Sequence, residues 1–157
     1  MSHHYRFRST WTTPHPVPEV YDVLHDIRAY VAWWPQIRAI EEIDDRSGHA
    51  RCRSFLPYSL RLLLRATVED RDAGVLEVDV DGDLAGRCRW RMEPTDAGGP
   101  ATRLWFEQEV EARARLLRTT GRLGRPVLEA NHAWMMRGCR RGLERRLSRG
   151  PDGRTPR

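Results

Sequence analysis

Between Gln36 and about Glu111 the chain alternates apolar and polar side chains, and short turn sequences interrupt this alternation repeatedly. A period of two residues places every second side chain on the same face of a β-strand. The turn signals, rich in Gly, Pro, Asp and Ser, occupy residues 45–49, 56–59, 72–74, 81–86 and 96–100. The pattern predicts six antiparallel strands of about eight to twelve residues.

Charged residues fill the polar phase of three consecutive strands. Acidic residues alternate with apolar ones in LEVDV at 76–80. Arginines take the alternate positions in GRCRWRM at 86–92, and mainly glutamates take them in RLWFEQEVEA at 103–112. If these strands pair in sequence order, a row of arginines lies between two acidic rows on the solvent face. Such cross-strand pairs contribute about 0.2 to 1 kcal/mol each and help to fix the strand register.

The N-terminal part predicts a strand followed by two short helices. Residues 4–12 alternate as a strand, and Pro18 then suits the first turn of a helix because its missing N–H is not needed there. A second short helix ends at Pro35, directly after the adjacent Trp33 and Trp34. Neighbouring residues point in different directions, so we expect one indole to anchor the helix in the core and the other to face the mouth or rim of a cavity.

The C-terminal part predicts one long amphipathic helix over residues 127–147, about 30 Å in length. Its apolar stripe comprises Leu128, His132, Met135, Cys139 and Leu143, with arginines over the remaining surface. Gly138 and Gly142 inside it indicate a bend, or a close approach to the sheet or to a ligand.

These elements predict an α+β fold with a curved antiparallel sheet of about seven strands. Two short helices follow the first strand. The long C-terminal helix packs over the sheet, because the apolar face of a sheet has to be buried against another element. At 157 residues the chain is most simply one domain. We assign residues 1–147 to this domain and expect 148–157 to be a disordered tail.

Composition narrows the classes of function. The net charge of +5 is compatible with nucleic-acid binding, but all 27 basic residues are arginine, and many of them alternate along strands beside acidic neighbours. We therefore expect no nucleic-acid partner. Neither a transmembrane segment nor a signal peptide is evident, which predicts a cytoplasmic protein.

The three cysteines, Cys52, Cys88 and Cys139, lack the paired spacing of a metal site. We read them as reduced, buried thiols and expect neither a metal nor a cofactor. The sequence makes no prediction of the oligomeric state.

Two segments carry a resemblance to a known family. TPHPVPEVYDVLHDIRAYVAWWP at 13–35 and NHAWMMRGCRRGLERRL at 131–147 resemble the first helices and the closing helix of the START-like, helix-grip superfamily, also called SRPBCC. Within it, the chain is most similar to bacterial polyketide cyclase/dehydrase-type proteins. The resemblance implies a cavity between sheet and long helix that holds a small hydrophobic ligand.

The apolar phase of the strands and the inner helix stripe together predict the cavity wall. The candidate ligand-binding residues are Trp33, Trp34, Leu62, Leu64, Trp90, Met92, Phe106, Gln108, Asn131, Met135 and Cys139; Leu60 and Cys88 share the same face. His132 is the candidate catalytic residue, because an imidazole on the inner stripe could move a proton near neutral pH. Ordinary core packing is the competing interpretation for each of these residues.

Two classes of function follow. The first is non-catalytic binding of an aromatic, polyketide-like or acyl ligand, which needs only the pocket. The second is polyketide cyclisation or dehydration, in which the cavity would fold the substrate and His132 would move protons. The sequence contains no convincing catalytic set beyond His132, which favours binding.

Overall fold

The computed structural model describes residues 3–55, 58–96, 98–113, 115–116, 118 and 124–150. Seven strands are present in this part of the chain: β1 (His3–Thr13), β2 (Ile37–Asp44), β3 (Ser47–Arg53), β4 (Ser59–Asp70), β5 (Val75–Gly82), β6 (Leu84–Thr95) and β7 (Ala101–Ala112). The helices are α1 (Val17–His25), α2 (Tyr30–Trp33) and α3 (Gly124–Ser148), with a 3-10 turn at Ile27–Ala29.

The strands form one antiparallel sheet in the order β1-β7-β6-β5-β4-β3-β2. Strands β2 to β7 follow one another as a meander, and β1 pairs with β7, the last strand. The sheet is curved, and α3 lies on its concave side. The predicted helix-grip fold class is thus confirmed.

The convex face carries the predicted charge rows. Glu109 of β7 lies opposite Arg6 on one side and Arg87 on the other, and it forms an ion pair with both. In a neighbouring row of cross-strand pairs, Arg89 lies opposite Glu77 and forms an ion pair with it at 2.7 Å. Because β1 pairs with β7, the alternation of charge extends across one strand more than the sequence predicted.

The short helices form a plug at one end of the sheet. Val20 and Leu24 of α1 are fully buried, and the Tyr30 hydroxyl of α2 donates a hydrogen bond to the Leu24 carbonyl. Trp34 ends α2 in an extended conformation, which the following Pro35 favours. This plug is the segment from Val17 to Gln36.

Helix α3 has 25 residues and begins at Gly124, three residues before the predicted start. Pro126 is tolerated because it lies in the first turn. The two internal glycines mark a close approach, and the partner is the plug rather than the sheet or a ligand. A Cβ at Gly142 would overlap the Trp33 carbonyl, and one at Gly138 would overlap the Gln36 amide.

Most of the predicted tail, 151–157, lies outside the described residues, as do parts of the turns at 56–59 and 96–100. Within the described ranges, no helix is both long enough and apolar enough to cross a bilayer.

Candidate functional site

A cavity of about 140 Å³ lies between the concave face of the sheet, the plug and α3. Its wall is overwhelmingly apolar, since it is built from the inward phase of the strands. Eight of the predicted site residues line it: Trp34, Leu62, Leu64, Trp90, Phe106, Gln108, His132 and Met135. Leu60 and Cys88 line it as well.

Four predicted ligand contacts lie away from the cavity wall. Met92 and Cys139 are almost completely buried in the core, where α1 and α2 fill the space between the sheet and α3. The alternation of apolar and polar residues along β6 correctly predicted that Met92 lies on the concave face of the sheet. It could not show that the plug occupies that end of the sheet.

Asn131 and Trp33 have structural contacts instead. The Asn131 side-chain oxygen accepts a hydrogen bond from the Phe55 backbone N–H at 3.2 Å, which ties the β3–β4 connection to α3. Trp33 is buried between α2 and α3, and its carbonyl lies against Gly142.

The two adjacent indoles therefore have different surroundings. Trp34 lines the cavity and donates its indole N–H to the Met135 carbonyl at 3.1 Å, while Trp33 does not line it. Both are buried, at 6% and 7% exposure, so Trp34 belongs to the inner wall. The expectation of an indole at the mouth or rim is wrong, because the hydrogen bond to α3 holds Trp34 inside.

His132 is stacked between two aromatic rings of the sheet. Its ring centroid lies 4.4 Å from that of Phe7 and 5.9 Å from that of Phe106, with nearly parallel planes. Its Nε2 atom is buried and has no hydrogen-bond partner in the described structure. Burial lowers the pKa of His132 from 6.5 to about 4, so the imidazole is neutral at pH 7.

Gln108 is the second polar group of the inner wall. It lies opposite Phe7 in the β1–β7 register and opposite Cys88 in the β6–β7 register. Its amide makes no hydrogen bond to any other described residue, in contrast to the amide of Asn131. The cavity wall thus includes two polar side chains that make no hydrogen bond to another described residue, one of them an imidazole stacked against two phenyl rings.

The sequence analysis missed Glu69, an acid that lines the cavity. Simple alternation along β4 sends it outward, but a bulge between Ala66 and Val68 shifts the register, so that Glu69 pairs with the inward Leu76. Its carboxylate meets His25 Nε2 at 2.7 Å and Arg46 at 3.5 Å. Only the bulge places this acid on the concave side, and nothing in the local sequence predicts a bulge there.

The His25–Glu69 pair lies at the opening of the cavity. Both residues, with Ile27, Ile40 and Leu64, also line an adjoining polar depression of about 250 Å³. The apolar cavity therefore adjoins a charged outer chamber, and the side chains of His25 in α1 and Glu69 in β4 are bonded to each other where the two meet.

The cysteines are free, and burial raises the pKa of Cys52 and of Cys88 to about 12. Both thiols, which line the cavity, are protonated at neutral pH. Among the described residues no cluster of His, Cys, Asp or Glu could hold a metal ion.

A seven-stranded sheet closed over a long helix, with an apolar cavity between them, defines a helix-grip protein. Residues 13–133 match the family model described as polyketide cyclase/dehydrase and lipid transport, and the chain belongs to this family. No curated protein sequence matches it significantly.

Solved structures share the fold at low sequence identity. The Zhui aromatase/cyclase from Streptomyces sp. R1128 is 18% identical with a TM-score of 0.78, covering 98% of this chain and 100% of its own. A START superfamily protein from Mycobacterium smegmatis is 15% identical with a TM-score of 0.71, covering 94% and 99%. Norcoclaurine synthase from Thalictrum flavum, solved with dopamine and hydroxybenzaldehyde, is 8% identical with a TM-score of 0.63, covering 95% and 89%.

Proposed function

We propose that the protein binds a small hydrophobic molecule with an aromatic ring in the cavity beneath α3. The observation that carries this proposal is an apolar, ring-lined space whose wall includes the Gln108 amide and His132, whose Nε2 atom is buried and unpaired in the described structure. A buried polar atom without a partner costs about 1 to 3 kcal/mol, so a protein that keeps one gains by offering it to a ligand.

The size of the cavity supports a compact ligand. An engineered cavity of about 150 Å³ in another protein holds benzene, so 140 Å³ accommodates about one ring without rearrangement. Met135 and Met136 line the wall, and their flexible side chains can repack around a second ring or a substituent. A longer molecule, such as a polyketide-like or acyl chain, would extend past His25 and Glu69 into the outer chamber.

The polar pair defines the chemistry of the ligand. A neutral imidazole offers one donor and one acceptor, and the Gln108 amide offers both as well. A phenolic hydroxyl or a ring ketone would satisfy them. In this proposal Trp34, Trp90 and Phe106 supply the aromatic contacts, and Leu62, Leu64 and Met135 complete the wall.

Polyketide cyclisation or dehydration is the second candidate function. The unpaired His132 Nε2 favours it, and so does the fold shared with an aromatase/cyclase. A His with a pKa of about 4 is a weak general base at neutral pH, however, and it has no carboxylate or other orienting partner among the described residues. We therefore place binding ahead of catalysis.

Titration calorimetry with naphthol and naphthalene tests the proposal. Naphthol should bind more tightly, because naphthalene leaves His132 and Gln108 unpaired. Leu62→Trp should weaken naphthol binding by at least about tenfold by filling the cavity. Leu63→Trp is the matched control, since Leu63 lies next to it on β4 and does not line the cavity.

Native mass spectrometry of the freshly purified protein completes the test by revealing any molecule carried from the host. The binding proposal fails if neither naphthol nor decanoic acid binds and the protein is also empty. For the catalytic alternative, a poly-β-ketone substrate should be converted by the wild type and not by His132→Phe. Conversion that survives this substitution removes His132 from the chemistry.

A further inference from the structure

The last part of α3 and the residue after it form one of two strongly basic stretches, the other being residues 113–125 with five arginines and no acid. Residues 137–149 contain six arginines and one acid, so of the chain's 27 basic and 22 acidic residues 21 of each lie elsewhere. The whole net charge of +5 thus equals the charge of this segment. A general preference for arginine over lysine explains the residue type but not this distribution.

The arginines of this segment also differ in their partners from those of strands β1 and β6. Arg6, Arg87 and Arg89 on the convex face each form an ion pair with a glutamate. Between 137 and 149, no arginine forms an ion pair with any carboxylate that the structure describes. Arg137 and Arg146 reach only backbone carbonyls.

Helical spacing aligns the unpaired charges on the outer face. Trp134, Arg137, Arg141 and Arg145 follow one another at intervals of three and four residues, on the side opposite His132, Met136 and Cys139. Arg137, Arg140, Arg141 and Arg145 share one shallow depression and are exposed. We call Arg137, Arg141 and Arg145, with Trp134 at their end, the arginine stripe.

Apolar side chains lie at both ends of the stripe. Phe55, 47% exposed, packs edge-on against Trp134 with ring centroids 6.2 Å apart. At the other end Val31, 44% exposed, shares a groove with Arg145, Arg146 and Arg149. Cations flanked by a tryptophan and exposed apolar groups are the composition of a surface that lies on anionic phospholipids.

We propose that the arginine stripe of α3 docks the protein on an anionic phospholipid surface. The segment from 137 to 149 is about 18 Å long, and its arginines would lie among the lipid phosphates while Trp134, Phe55 and Val31 enter the headgroup region. The opposite face of α3 forms the cavity wall, so docking would place the cavity one helix diameter from the membrane. This inference stands independently of the proposed ligand.

Vesicle flotation tests the proposal without any cavity ligand. Wild-type protein should bind vesicles of equal parts phosphatidylcholine and phosphatidylglycerol, release them as salt rises, and ignore pure phosphatidylcholine. Arg141→Glu with Arg145→Glu should weaken binding roughly tenfold or more. The control is Arg61→Glu with Arg65→Glu, exposed on β4, which lowers the net charge equally, from +5 to +1.

Equal loss in both double variants would overturn the proposal, because net charge alone would then explain binding. Failure of the wild type to bind anionic vesicles at low salt would overturn it as well. If an oligonucleotide duplex binds through Arg141 and Arg145 while vesicles do not, the stripe is a nucleic-acid surface and the membrane proposal is wrong.

A second pair of variants tests the aromatic end. Trp134→Ala should weaken vesicle binding several-fold, whereas Trp105→Ala, on the convex face under Arg91, should leave it unchanged. Unchanged binding by Trp134→Ala would contradict the docking geometry. Circular dichroism of each variant confirms that the fold is intact.

Discussion

On the convex face of the sheet, Arg6, Glu109 and Arg87 lie in one row across three strands, and both arginines form an ion pair with the glutamate. On the concave side, His132 and Gln108 meet no polar partner among the described residues. The convex charges are exposed and complete without any further molecule. Of the concave polar groups, the His132 Nε2 atom is buried and incomplete, which is the arrangement expected where a ligand supplies the missing partner.

The difference separates charges that stabilise the register of the sheet from polar groups that serve binding. Ion pairs in water contribute little energy each, yet a one-residue slip would turn the charged side chains of a strand towards the core and its apolar side chains towards solvent. An unpaired imidazole contributes nothing to register and lowers stability. Four predictions test this contrast, from the largest expected effect to the smallest.

Removing a ring from the concave face should cost far more than removing one from the convex face. Phe106→Ala should lower the free energy of unfolding by about 3 kcal/mol, the lower end for a buried phenylalanine because this ring already borders a cavity. Trp105→Ala, its neighbour on β7, should lower it by about 1 kcal/mol or less. Urea denaturation measures both, and similar losses would abolish the contrast.

The two faces should also lose stability in different pH ranges. Burial lowers the pKa of His132 from 6.5 to about 4, so as the pH falls from 6.5 towards 4 the imidazole is protonated in the unfolded state but not in the folded state, and the protein loses stability. Over this range the wild type should lose about 2 to 3 kcal/mol relative to His132→Phe.

The convex face should respond at lower pH. Hydrogen bonds and charge from Arg6 and Arg87 lower the pKa of Glu109, so its contribution is lost only as the pH falls below the usual value of 4.5. Urea denaturation of the wild type and His132→Phe across this pH range measures the difference. Parallel curves for the two proteins would show that His132 is not buried as a neutral ring.

Replacing the unpaired imidazole with a phenyl ring should raise the stability of the protein and weaken ligand binding. His132→Phe keeps the stacking on Phe7 and Phe106 and removes the orphaned nitrogen, so it should stabilise the protein at pH 7 by about 1 kcal/mol. Naphthol binding should weaken about five- to tenfold, because a neutral hydrogen bond is lost. Calorimetry measures the affinity; a destabilised variant with unchanged affinity would refute the assigned role.

Breaking one convex ion pair should have the smallest effect. Arg89→Gln removes the pair with Glu77 and should lower the free energy of unfolding by about 0.5 kcal/mol, with a smaller difference at high salt. Urea denaturation at two salt concentrations measures this. A loss larger than that of Phe106→Ala would mean that the convex rows, and not the core, hold the sheet together.

Much of the fold was predictable because its signals are local. Alternation in LEVDV, GRCRWRM and RLWFEQEVEA identified three strands, their two faces and the pairing of their charges. The 3.6-residue period after Pro126 identified α3. The sequence predicted which face of the sheet holds the site, and eight of the predicted residues do line the cavity.

The remaining site residues depended on contacts distant in sequence. Met92 and Cys139 carry the right phase but lie where the plug fills the concave side. Glu69 faces inward only because a bulge in β4 reverses the phase after Ala66. The roles of Trp33 and Trp34 were decided by α3, whose Met135 carbonyl binds the second indole.

The sequence by itself determined the elements, the faces of the strands and the concentration of arginines near the end of the chain, since each follows from residue type and spacing along a segment. Only the tertiary structure decided where the concave side is packed solid and where it is hollow. The physical reason is that side-chain direction is a local property, whereas a cavity is the space left after the plug, the sheet and α3 have all been packed.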